Sequence, residues 1–158
     1  MKSIFLILFL IFNMNSSFAE EDKEVPNIKM FQDWLVSCNP NNKPCIANQT
    51  IRNDDGLPIA LINITHISKN TILEFGLPLM MNLQIPIKVE VDDKPIASYY
   101  YNTCSQSACF VITNNDFTLV DAFKSGNIAK VIAENIQRKK INLIFSLKGF
   151  SKAFSKTY

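Results

Sequence analysis

Hydrophobic and polar residues alternate most cleanly over residues 85–92. Ile85, Ile87, Val89 and Val91 fall on one face, and Pro86, Lys88, Glu90 and Asp92 on the other. Strand side chains project to opposite faces in turn, so this segment predicts a half-buried strand with one solvated face. Pro86 has no N–H to contribute to a ladder and belongs at an edge or a strand start. Ile141, Leu143, Phe145 and Leu147 repeat the same period. Residues 31–38, 46–52, 59–67, 72–75, 96–101 and 110–112 read as further short strands. Asn53-Asp54-Asp55-Gly56, the breaker Gly76-Leu77-Pro78, Asp92-Asp93-Lys94-Pro95 and Gln137-Arg138-Lys139-Lys140 separate strands as turn signals.

The period changes after residue 114. Asn115 or Asp116 can cap a short helix with Leu119, Val120 and Phe123 on its inner face and Gly126 as its stop. Residues 128–136 fit both periods: Ile128, Val131, Ile132 and Ile136 suit a helix, and the same isoleucines with Val131 opposite suit a strand. Residues 149–156 predict a last short helix that turns Phe150, Ala153 and Phe154 inward. Many short strands with frequent turns predict an all-β, disulfide-stapled sandwich of antiparallel strands with one or two short helices near the C-terminus. An outer-membrane barrel of similar length would need longer and more even strands.

The N-terminus has a pattern of its own. Lys2 precedes an unbroken apolar run from Ile4 to Phe12, and Ser17-Phe18-Ala19 puts small residues where a signal peptidase reads them. This predicts a secretory signal over residues 1–19, cut between Ala19 and Glu20. The apolar run covers only about half of a bilayer core, too little for an anchor. Residues 20–29 read as a charged, flexible leader and residues 30–158 as one domain. The chain is therefore expected in the periplasm, at the cell surface or outside the cell. Sixteen Lys and Arg against fourteen Asp and Glu leave a net charge of +2, which argues against a nucleic-acid binder.

Export decides how Cys38, Cys45, Cys104 and Cys109 are read, because disulfides persist in oxidising compartments. Four cysteines allow three pairings. Cys38–Cys45 with Cys104–Cys109 is favoured, since each pair closes a short polar loop. The spacings are wrong for a four-cysteine zinc site, and no C-x-x-C redox motif is present.

Residues that could carry chemistry are few. His66 is the only histidine and sits between Ile64 and Ile67, in an apolar strand. With Met30, Met80 and Met81 it could be imagined as a copper(I) site, though Met80-Met81 beside Leu79 and Leu83 reads more simply as apolar filler. Asp54-Asp55 and Asp92-Asp93 sit at turns, where Asp suits the backbone. The basic run 137–140 reads as a solvated hairpin tip, and Trp34 as core. Asn48-Gln49-Thr50 and Asn63-Ile64-Thr65 match a glycosylation sequon that matters only in a eukaryote. Tyr99-Tyr100-Tyr101 must turn at least one ring outward if it lies in a strand, which makes these tyrosines the candidate binding surface.

Phe31-x-Asp33-Trp34-x-Val36-x-Cys38 followed by Cys45, Leu77-Pro78 before the alternating strand, Cys104-x-x-x-x-Cys109, and Ser146-Leu147-x-Gly149-Phe150-x-x-Ala153 occur in that order. As an ordered set, they resemble the invasion-associated locus B (IalB) family of alphaproteobacterial secreted proteins. One departure is Ala108, where the family often has glycine. The resemblance implies a periplasmic or surface β-sandwich, named for members that promote bacterial entry into host cells, and favours strand over helix for residues 128–136. It supplies no catalytic mechanism. The expectation is a non-enzymatic interaction protein, without cofactor or metal, whose partner is a protein of the envelope or of a host cell. The alternative is a periplasmic carrier of a small ligand or metal.

Overall fold

The computed structural model describes residues 27–40 and 44–158. The expected signal segment, and its expected cleavage site between Ala19 and Glu20, lie outside the described residues. Eleven strands and two helices follow one another: β1 (Asn27–Phe31), β2 (Trp34–Cys38), β3 (Cys45–Arg52), β4 (Pro58–Ile67), β5 (Asn70–Leu77), β6 (Ile87–Val91), β7 (Lys94–Tyr99), β8 (Thr103–Cys104), β9 (Cys109–Asn114), α1 (Phe117–Ser125), β10 (Ile128–Glu134), β11 (Lys140–Ser146) and α2 (Phe150–Phe154). They form a seven-stranded sheet, ordered β1-β2-β3-β4-β5-β9-β8, and a four-stranded sheet, ordered β11-β10-β6-β7. All pairings are antiparallel.

One hydrophobic cluster fills the space between the sheets and helices. Ile62, Ile64, Leu73 and Phe75 come from the first sheet, Ile87, Val89, Val131 and Phe145 from the second, and Leu119, Phe123 and Phe150 from the helices. Each such side chain contributes about 1.5–3 kcal/mol on burial. Asp116 caps α1 by accepting the Leu119 N–H at 2.9 Å, and Gly126 ends the helix, as the sequence predicts. The cysteines pair as Cys38–Cys45 and Cys104–Cys109, each bridging directly opposed residues of adjacent strands.

Several expectations need correction. Residues 27–29, assigned to the leader, belong to β1, which pairs along its whole length with β2. The single strand expected over residues 31–38 is thus the second half of a hairpin, turned at Gln32 and Asp33 with Gln32 at φ +54°. Gly76 and Leu77 continue β5 instead of breaking it, because Leu61 of β4 lies over the glycine. A Cβ there would stand 2.8 Å from Leu61 Cγ. Ile85 is 42% exposed, since residues 82–85 form a turn and the strand starts only at Ile87. The strand expected over residues 96–101 ends early, at Tyr99. Residues 128–134 are strand, with small Ala129, Val131 and Ala133 inward and Ile128 outward beside Lys130, whose ammonium pairs with Glu90 and Asp93 at 2.8 Å.

The two ends of the domain meet. Trp34 is fully buried and donates from Nε1 to the Ser146 carbonyl at 3.0 Å. Gln49 Nε2 donates to the same carbonyl and to that of Asp33, both at 2.9 Å. The Trp34 ring meets Phe150 edge-on at 5.0 Å, and Phe150 meets Phe123 at 5.4 Å. Between Ser146 and Phe150 the chain passes so close to the first hairpin that a Cβ on Gly149 would lie 2.0 Å from the Phe31 carbonyl oxygen. Gly149 also has φ +88°.

The last residues close on His66. Its Nδ1 lies 2.7 Å from Thr157 Oγ1, and that hydroxyl donates to the Phe154 carbonyl at 2.8 Å. The hydroxyl has one proton, so Nδ1 donates and Nε2 carries the lone pair. Nε2 is buried and meets no partner among the described residues. The ring lies against Tyr158, 3.6 Å between centroids. Burial, and then the charge of Lys124, hold the His66 pKa below its ordinary value.

Two outcomes follow from these contacts. Gly149→Ala combines a disfavoured φ with a backbone clash, and is expected to lower stability by at least about 2 kcal/mol in urea unfolding. His66 protonates more readily in the unfolded chain than in the folded one. The unfolded state therefore binds more protons below pH 6.5, and stability, full above that pH, falls as pH drops through the window. His66→Phe keeps a ring in place and removes the titration, so it should flatten the change in urea midpoint between about pH 7 and pH 5.

Candidate interaction surface

The three adjacent tyrosines take three different positions. Tyr99, at the end of β7, is half-buried, stacks on Phe75 of the other sheet at 6.3 Å, and gives its phenol proton to Asp116 Oδ2. It ties the four-stranded sheet to the helix cap. Burial and then the Asp116 carboxylate raise its pKa far above the ordinary phenol range. Tyr101 packs against the core, and its phenol oxygen is buried without a partner among the described residues. Burial pushes its pKa up to about 12. Tyr100 is 68% exposed and is the one ring of the three available for contact.

A larger apolar surface lies on the outer face of the seven-stranded sheet. Register places Leu35, Asn48, Asn63, Glu74 and Ile112 in one row across β2, β3, β4, β5 and β9. The middle of this row is a polar ladder: Asn48 Nδ2 donates to Asn63 Oδ1 at 2.6 Å, and Asn63 Nδ2 to Glu74 Oε1 at 2.8 Å. The next row is apolar in its middle, Leu61, Gly76 and Phe110, between Thr50 and Thr103 at its ends. Gly76 leaves a depression that Leu61 only partly fills. With Pro58, Ile59, Pro78, Leu79 and Ala108 around it, the depression becomes an open groove of about 400 Å³. One wall is the loop closed by the Cys104–Cys109 disulfide, where Ser105 Oγ accepts the N–H groups of Ser107 and Ala108 at 3.1 and 3.2 Å. Leu57 and Met80, next in sequence to two lining residues, are among the most exposed apolar side chains.

Sequence reasoning missed this groove, although β4 carries a signal for it. Ala60, Ile62 and Ile64 point inward. The outward positions switch from Ile59 and Leu61 to Asn63 and Thr65 midway along the strand. An apolar outward half beside a polar one marks a surface that is not merely solvated.

The other candidates disperse. Met30 sits on the outer face of β1 and His66 on the inner side of β4. Met81 is buried, and Met80 lies in the β5–β6 connection. No group of three or more His, Cys, Asp or Glu is placed to hold a metal among the described residues. Asp92 accepts the N–H groups of Asn127 and Ile128, and Asp93 pairs with Lys130, so both have structural partners. Asp54 and Asp55 lie in the β3–β4 turn and residues 137–139 in an exposed one.

The tyrosines separate in a stability test by urea unfolding. Tyr99→Phe should cost about 1–2 kcal/mol, since it removes a bond to a carboxylate. Tyr101→Phe should cost nothing or stabilise, because it removes a buried hydroxyl with no partner. Tyr100→Ala should stay within about 0.5 kcal/mol.

A scan of protein families matches residues 34–158 to the family described as Invasion associated locus B (IalB) protein. A search of the curated proteins finds no significant match. Among solved structures, the chain is similar to the crystal structure of invasion associated protein B from Bartonella henselae. The TM-score is 0.75 at 19% sequence identity, over 83% of this chain and 95% of that one. At that identity the likeness speaks for the fold. The family match spans the greater part of the chain, from the tryptophan of the first hairpin to the last residue, and the protein belongs to the invasion associated locus B family.

Proposed function

We propose that the protein is exported and works by binding another protein of the cell envelope or of a contacted host cell, with the outer-face groove as its contact surface. The observation that carries this reading is the groove itself: an open, mostly apolar depression at the end of a sheet, with Leu79 and Phe110 on its walls and no convergent acid, base and nucleophile. Enzyme sites, though often mostly apolar, bring a few such groups together at one point. Tyr100 is a second contact residue by its exposure alone. Two disulfides support an oxidising compartment. No helix among the described residues is long and apolar enough to cross a membrane. The structurally similar Bartonella protein is named for invasion, and this motivates host contact as one setting of the proposed binding.

Protease treatment of intact cells, beside osmotically opened ones, tests the location. Digestion on intact cells would indicate the surface, and protection until the outer compartment is opened would indicate the periplasm. Protein released only with the cytosol would overturn the reading. A photo-crosslinking residue at position 79 tests the surface. It should give a discrete adduct in cells that Phe110→Asp abolishes, while the same residue at exposed position 152 of α2 gives none.

A further inference from the structure

The two sheets have four edges, and two are blunted. β8 is only two residues long, and β7 carries Pro95 beside a bulge. On β11 the last carbonyl, of Ser146, is taken up by Trp34 and Gln49, but the rest of that edge is open, and the described grooves beside it mix lysines with carboxylates. The fourth edge, β1, has five residues, no proline and no bulge, and no strand pairs with its outer side among the described residues. Unprotected edges of this kind are pairing sites. The two-residue turn makes Phe31 and Trp34 a hydrogen-bonded pair, so Asn27, Lys29 and Phe31 address their backbone groups to β2. Ile28 and Met30 address theirs outward.

The side chains around this edge describe what would pair with it. On the outer face, Ile28 and Met30 are each more than half exposed. On the inner face, Lys29 and Phe31 open into a groove of about 510 Å³ whose far wall is the C-terminal segment, with Lys156 and Tyr158. Among the described residues, the two lysines are its only charged lining side chains. We propose that β1 accepts an added strand from a partner protein, an extended segment in which acidic side chains enter the groove toward Lys29 and Lys156 and the alternate, apolar side chains cover Ile28 and Met30. Backbone bonds to Ile28 and Met30 would supply affinity and the alternation would supply selectivity. A second copy of this chain fits poorly, since antiparallel pairing of two β1 strands over their full length sets Lys29 against Lys29. The site lies on a different part of the molecule from the outer-face groove and does not depend on it.

The test uses the purified protein and a labelled, end-capped peptide Glu-Val-Glu-Val-Glu-Val, with fluorescence anisotropy and amide hydrogen exchange. The acidic peptide should bind about ten-fold or more tighter than its Lys-Val counterpart, and the double variant Lys29→Glu, Lys156→Glu should reverse that order. Binding should newly protect the Ile28 and Met30 amides, and a peptide N-methylated at alternate residues should not bind. Failure of the acidic peptide to bind would overturn the proposal. Equal binding of the N-methylated peptide would also overturn it, as would protection of the same two amides by self-association of the protein alone.

Discussion

The structure depends on one backbone carbonyl. Ser146 O accepts hydrogen bonds from two side chains of the opposite sheet, Trp34 Nε1 and Gln49 Nε2, and so joins the end of β11 to β2 and β3. A buried carbonyl left without donors costs about 1–3 kcal/mol, and so does a buried indole N–H or amide. The three groups satisfy one another across residues separated by 112 positions in the chain. Phe150 then stacks its edge against Trp34, and Gly149 lets the connecting backbone pass under Phe31. The hairpin 27–38 and the segment 146–154 thus form one unit, although they stand at opposite ends of the domain.

Two short stretches distant in the sequence thus serve one joint. Phe31-x-Asp33-Trp34 places the hairpin turn and the indole, and Ser146-Leu147-x-Gly149-Phe150 provides the acceptor, the close approach and the aromatic partner. The disulfides act elsewhere and locally. Each closes a short loop between directly opposed residues, worth about 2–2.5 kcal/mol in the chain-entropy view. One holds β2 to β3 near the closing tail, and the other shapes a wall of the outer-face groove. Neither connects the two sheets. Side-chain packing and the Ser146 joint do that.

Much of the architecture was legible because its causes are local. Period-two alternation located β6 and β11, an Asx cap and a glycine stop located α1, and loop length selected the cysteine pairs. Elements set by distant partners were not legible. Gly76 reads as a breaker until Leu61 is seen lying over it, and nothing near Asn27 announces that β1 will find β2. The candidate surface was harder still. Two of the three adjacent tyrosines are committed to the interior, one through Asp116 and one by packing, and only their three-dimensional neighbours reveal it. The apolar groove joins residues from β4, β5 and β9 whose adjacency is a matter of register, which short sequence windows do not contain.

The distance between Trp34 and Ser146 along the chain also has a meaning in time. A ribosome releases the N-terminal hairpins first, and each can form as it emerges, since its contacts are local. The joint between the sheets cannot close until Ser146, Gly149 and Phe150 have left the tunnel, more than a hundred residues after the indole of Trp34. Until then the polypeptide lacks the contact that makes its two layers one body, and the indole N–H of Trp34 waits without its acceptor.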